Sequence, residues 1–251
     1  MAYLRWVLRP YLYLTYAFEK CLQRGAFGKN RAVFDDPCQE QQSTPLKTSL
    51  FAHHVKQFHE SSCSVASVVS VINALLERNG RLTFPPITQH QLLDTVTAAH
   101  WKERMSPEGY NGRRGLPLHV LERVVRASLT TYQIPHRFVE AVQASKHPRQ
   151  SRQMKNQLRK RLQEFEKHGD SLIIAHFDQG HFLPELHIPH ISPVGGFDRA
   201  TDRVMILDVD PFVPHFYHVP FEQFYAGLSH DYNVIFQRYG YGSGGYIHIQ
   251  L

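Results

Sequence analysis

The apolar positions of this chain follow two rhythms, helical first and strand-like later. The segment SSCSVASVVSVINALLERNG, residues 61–80, places Val65, Val68, Val69, Ile72, Leu75 and Leu76 at the i, i+3, i+4, i+7 spacing of an amphipathic helix. Ser61 or Ser62 serves as its N-cap and Gly80 lies just past its end. A second helix is predicted over residues 149–168, a basic run that carries Leu158, Leu162 and Phe165 at helical spacing. Residues 85–130 read as helix in pieces, interrupted by SPEGYNGRRGLP (106–117), whose glycines and prolines predict a mobile surface loop. After residue 170 the runs become short: SLIIAHF, HISPVGGF, RVMILDV, YNVIFQRY and YIHIQL all read as strands. The glycine-rich GYGSGGY (240–246) between the last two reads as a hairpin turn. Helices first and strands later indicate an α+β protein of two lobes.

The N-terminal stretch, residues 1–24, is apolar and aromatic, but Arg5, Arg9, Pro10 and Glu19 interrupt any run long enough to span a bilayer. It reads as an amphipathic packing helix, with membrane-surface contact as the alternative. Residues 27–50 are polar and rich in turn formers and read as a connecting arm. The expected organisation is an N-terminal helix and arm over 1–50 and one main domain over 51–251.

Composition narrows the function classes. With 251 residues, 42% of them hydrophobic and 20% charged, the chain is long enough to bury a large core and is not a disordered protein. The formal charge of +6 favours anionic partners, and a small peptide or acyl substrate and an acidic carrier protein both fit. Nucleic acid does not, because the basic residues are dispersed and no aromatic interleaving accompanies the densest run. Three cysteines, Cys21, Cys38 and Cys63, without a C-x-x-C pair, argue against a disulfide scaffold or a thiolate zinc site. A reducing, cytoplasmic setting is expected.

Three residues stand out as reactive chemistry. Cys63 falls at a predicted helix start, where the positive end of the dipole would lower the thiol pKa. His190 and Asp208 lie on two strand-like runs joined by the polar loop DRATDR, and a hairpin centred near Arg199 sets them directly opposite on one face. A carboxylate inside the apolar VMILDV needs a partner, and the imidazole supplies one. That leaves the second ring nitrogen to take a proton from Cys63 and return it to a leaving group. Gln57, six residues before Cys63, would join the Cys63 N–H as an oxyanion donor.

Cysteine at a helix start, glutamine six before it and a later His–Asp pair resemble the papain-like cysteine enzymes. SCSVASVVSVINAL and HISPVGGFDRATDRVMILDV more narrowly resemble the phytochelatin synthases, which carry Cys-x-x-A-S and H-F-S-P-x-G-G-Y stretches with an aspartate 18 residues after the histidine, as here. The resemblance covers roughly residues 50–228. It implies a papain-like two-lobe fold, a helical lobe with the nucleophile Cys63 and an antiparallel β lobe with His190 and Asp208, and Gln57 at the oxyanion. It further implies acyl transfer from glutathione through a γ-glutamylcysteinyl thioester with release of glycine, without a cofactor.

Around that machinery the chain departs from the family. Ser62 and Ser64 flank the cysteine where the family has an aromatic residue and glycine, Asp210 and Pro211 stand where it has a carboxylate-binding arginine, and Ala98 and Ala99 fall in the region of its additional cysteines. Ser62, Ser64, His187, Ser192, Gly195 and Asp210 are the expected substrate contacts. Two other readings stay open: an amide-forming cysteine acyltransferase with a different amide or carrier-bound thioester donor, and a non-enzymatic histidine-rich metal- or ligand-binding module. The second draws on 17 histidines, with His176, His181, His187 and His190 inside fifteen residues. No H-E-x-x-H helix and no carboxylate at ligand spacing accompany them, so no metal site is expected.

Overall fold

A computed structural model describes residues 2–28 (2–9 as backbone only), 31–34, 44–232 and 242–251. Cys38 and nearly all of the expected strand YNVIFQRY lie outside the described residues. The helices are α1 (Ala2–Cys21), α2 (Pro45–Ala52), α3 (Cys63–Arg78), α4 (Gln89–Thr95), α5 (Trp101–Met105), α6 (Leu118–Thr131), α7 (Pro148–His168) and α8 (Phe221–Leu228). The strands are β1 (Val33–Phe34), β2 (Phe138–Gln143), β3 (Ser171–Asp178), β4 (Pro189–Asp198), β5 (Arg203–Ile206), β6 (Tyr217–Pro220) and β7 (Gly245–Gln250). They form one antiparallel sheet in the order β1-β6-β5-β4-β3-β7-β2, which together with the helices makes an α+β fold.

Two apolar clusters flank this sheet. On one side Val65, Val69, Ile72 and Leu75 of α3 pack with Leu46 and Leu50 of α2 and with Ile174, Ile191 and Ile247 of the sheet. On the other, Leu158 and Leu162 of α7 and Phe221 and Phe224 of α8 meet Ala175, Phe177 and Tyr217. Strand β3 feeds both, Ile174 facing one way and Phe177 the other, and every residue in it is buried. That is why SLIIAHF is a continuous apolar run instead of an alternating one.

Helix α3 is more deeply placed than an amphipathic pattern implies, since Ser64 through Leu76 are all buried. Its polar face survives burial because it is built of small groups that find partners. The Ser70 hydroxyl donates to Ala66 O and accepts from Val55 N–H, and Asn73 exchanges two hydrogen bonds with the Ile87 backbone. Unsatisfied, each such group would cost about 1–3 kcal/mol.

The segment expected as an arm contains α2. Thr44 caps it and Pro45 occupies its first turn, so the turn-forming residues start a helix instead of prolonging a loop. Strand β2, paired with β7, was not legible, because Glu140 and Gln143 interrupt the alternation and Val139 alone is fully buried. Helix α7 matches its expectation, with Leu158, Leu162 and Phe165 buried and Gly169 in a left-handed cap at φ 58°. Helix α1 buries Leu12 but leaves Tyr13, Leu14 and Phe18 exposed. Among the described residues no helix is long and apolar enough to cross a membrane.

Candidate active site

Cys63 is the first residue of α3, and the turn before it is closed by Ser62, whose buried hydroxyl donates to His59 O at 2.8 Å and accepts from His59 N–H at 2.9 Å. Its sulfur opens on a small cavity of about 90 Å³ walled by Ser64, Arg114, His176, Pro189 and Ile191. Pro189 and Ile191 are the neighbours of His190 on β4, and the Ile191 N–H reaches toward the sulfur. Ser67, one turn along α3, locks this junction: its hydroxyl lies 2.7 Å from Cys63 O and 2.9 Å from Ile191 O, and its single proton is shared between the two carbonyls.

Behind that wall lies a buried polar network. His190 packs edge-on against Phe177, and its Nε2 donates to Asp208 Oδ1 at 2.8 Å. Asp208 Oδ1 also accepts from Asp210 N–H (2.9 Å), and Oδ2 accepts from the Tyr217 hydroxyl at 2.6 Å. Burial alone would raise the Asp208 pKa, yet the His190 charge and these hydrogen bonds hold it below the usual carboxylate value. Burial would lower His190, but Asp208 holds it above the ordinary histidine value. The Lys56 ammonium caps the Asp208 and Val213 carbonyls at 2.7 and 2.6 Å.

The contact between His190 and Asp208 arises from a different register than the spacing implied. Val194 pairs with Ile206 while Gly196 pairs with Met205, so a bulge at Gly195 shifts the hairpin and Asp208 lies beyond the end of β5. The two side chains meet diagonally instead of face to face.

The thiol departs from expectation too. Burial pushes Cys63 up to about 11, and the Asp208 charge adds to the rise, against smaller stabilisation from the Ile191 and Ser64 N–H groups. Desolvation therefore outweighs the helix dipole, and the resting cysteine is a protonated thiol at neutral pH. Iodoacetamide should accordingly alkylate Cys63 slowly at pH 7 and about tenfold faster per pH unit up to pH 9, followed by intact mass. A flat profile over that range would show a preformed thiolate.

The remaining expected contacts divide. Ser64 lines the cavity, but its hydroxyl accepts from Trp101 Nε1 at 3.1 Å. Ser62 is enclosed in its own turn and does not line the cavity. Ser192 accepts from Val209 N–H and joins β4 to the segment bearing Asp208. Gly195 makes room for Leu207, which a Cβ would approach to 2.7 Å, so its role is packing at the bulge. Asp210 accepts from Phe212 N–H and shapes a turn. His187 lies away from the cavity, with Nδ1 2.8 Å from Asp178 and Nε2 3.1 Å from Glu19. Gln57 donates its backbone N–H to Val209 O at 2.7 Å, and its side-chain Oε1 is buried without a hydrogen-bond partner among the described residues.

Sequence reasoning missed three neighbours. Tyr217 gave no signal beyond an aromatic in a short strand. His176 was one of many histidines, but strand register puts it opposite Ile191 and in the cavity wall, where burial lowers its pKa to about 4. Arg114 comes from the loop expected to be mobile surface; its guanidinium donates to Glu60 Oε1 (3.1 Å) and Ser61 Oγ (2.5 Å) at the cavity rim.

No curated protein matches the chain in sequence. A family model, however, matches residues 28–241, which takes in α2, the Cys63 helix, the loop with Arg114 and the whole His190–Asp208 hairpin. That family consists of enzymes of glutathione-linked acyl transfer, and the chain belongs to it: it is a member of the phytochelatin synthase family.

Proposed function

We propose that this protein is a cysteine-dependent acyltransferase or peptidase with a papain-like two-lobe arrangement, acting on a glutathione-type γ-glutamylcysteinyl donor through a thioester. The observation that carries this reading is the position of Cys63, at a helix start in a cavity walled by the chain on both sides of His190. Because Asp208 holds His190 Nε2, the other nitrogen, Nδ1, is left to act as base. His190 removes the Cys63 proton as sulfur attacks the Cys–Gly carbonyl of the donor. The imidazolium then protonates the departing glycine nitrogen, and an amine or water releases the acyl group from sulfur.

The helix-start N–H groups support oxyanion binding, and Gln57 joins them. One end of its amide is buried without a hydrogen-bond partner among the described residues, and a half-turn of that amide exchanges acceptor for donor. A thiol that rests protonated fits a base that acts only as substrate arrives.

Arg114 takes the part of the carboxylate-binding arginine that Asp210 and Pro211 displace. Its guanidinium at the cavity rim suits the glycine carboxylate of the donor. Arg114→Ala should raise KM for glutathione about 10–100-fold, the worth of one charge-assisted hydrogen bond, with a smaller change in kcat. An unchanged KM would remove Arg114 from the substrate site.

The direct test is intact-mass spectrometry of the protein after incubation with glutathione. A mass gain equal to one γ-glutamylcysteinyl acyl group, absent in Cys63→Ala, is the expected result. Alkylation of Cys63 without any glutathione adduct would assign a different acyl donor.

A further inference from the structure

The histidines that sequence spacing grouped together separate in the fold, His176 and His190 to the Cys63 region and His181 and His187 to a second cluster with Asp178 and His230. We infer that Asp178, His181, His187 and His230 form a four-ligand zinc site, distinct from the acyl-transfer centre, that fixes the entry to β4.

The spacing of the four ligand atoms suits a tetrahedral ion. One ligand atom from each residue lies within 4.8 Å of every other. Asp178 Oδ2 is 2.8 Å from His187 Nδ1, 3.1 Å from His230 Nδ1 and 3.9 Å from His181 Nε2, and His181 Nε2 is 3.2 Å from His230 Nδ1. Zinc–nitrogen bonds of about 2.0–2.1 Å in a tetrahedron put neighbouring ligand atoms about 3.3–3.4 Å apart, the middle of this range. An N₃O set with no open position is a structural site, and imidazole-rich sets favour zinc over magnesium or calcium.

The surroundings are arranged as metal sites require. Asp178 is fully buried, its Oδ1 is taken by Gly180 N–H at 3.0 Å, and its ion-pair partners among the described residues are all histidines. The remaining oxygen, Oδ2, faces the three imidazoles. His187 gives its far nitrogen, Nε2, to Glu19 of α1 at 3.1 Å, the carboxylate–histidine pairing that orients a metal-bound ring. Gly180 gives that ring room, since a Cβ there would fall 3.0 Å from His187 Nδ1. Sequence spacing missed the site because two of its ligands, Asp178 and His230, are separated by 52 positions and meet only where α8 ends beside β3.

The alternative for the same atoms is a metal-free His187 imidazolium held between Asp178 and Glu19. Full-length protein saturated with Zn²⁺ and dialysed against metal-free buffer separates the two. Expected are one zinc per chain, loss of at least nine-tenths of it in His230→Ala, and full retention in Cys63→Ala. Glu19→Gln, which leaves all four ligands in place, should weaken zinc affinity about 10–100-fold. Replacement by Co²⁺ should give the intense visible spectrum of tetrahedral cobalt, and zinc should raise the wild-type Tm in a concentration-dependent way. Wild-type protein that keeps less than one-tenth of an equivalent, or zinc that leaves with Cys63 and stays in His230→Ala, would overturn the site.

Discussion

Replacing Cys63 with alanine is expected to lower glycine release from glutathione by about 10⁴-fold or more, with the fold unchanged. In a covalent mechanism the nucleophile, base and orienting group act as a unit, so losing the nucleophile removes nearly everything the unit contributes. The side chain is small and borders an existing cavity, so alanine leaves no large void in the core. Cys21, which is exposed, provides the control: Cys21→Ser should turn over as wild type. Single-turnover release of glycine, measured beside circular dichroism of each variant, decides the matter. Activity retained within tenfold in Cys63→Ala would exclude a thioester pathway.

Asp208→Ala should be costly to stability and catalysis together. The substitution leaves the His190 Nε2–H, the Tyr217 hydroxyl and the Asp210 N–H without their acceptor inside the protein. Breaking one side of a buried charged network costs about 3–5 kcal/mol, to be read from urea unfolding. Activity should fall about 10²–10⁴-fold, the usual worth of a positioned acid–base group. Asp208→Asn keeps an acceptor for His190 and should lose less stability. The pH dependence has a defined sign: a carboxylate depressed in the folded protein adds stability above its ordinary pKa of 3.8 that is lost as pH falls through the lower folded value. The wild type should therefore lose more stability than Asp208→Asn below about pH 4. Equal stability of the alanine variant and wild type at pH 7 would show that the network contributes nothing.

What could be read from sequence depended on how locally each feature is encoded. The α3 helix, its cysteine and the His190–Asp208 pair were legible because periodicity and an 18-residue interval lie within single segments. The exact register was not, since the bulge at Gly195 results from Leu207 packing under the strand. The thiol pKa was misjudged because the dipole is visible in sequence whereas the protein packed around Cys63 is not. Arg114 and His230 were hidden for a related reason: each reaches its site from a loop, and only tertiary structure says where a loop folds back.

The fold of β4 has a consequence for how such an enzyme changes its substrate. Every residue from His190 to Phe197 is buried, and most are committed to Asp208, to Ser67 of α3, to the segment after β5, or to one of the two cores. Variation there would damage the scaffold before it altered recognition. The loop ahead of the buried Leu116 is less constrained, because Arg114 and Gly115 are only half-buried and the loop connects two helices. New specificities in this lineage should therefore accumulate on that loop, while the strand carrying His190 stays fixed.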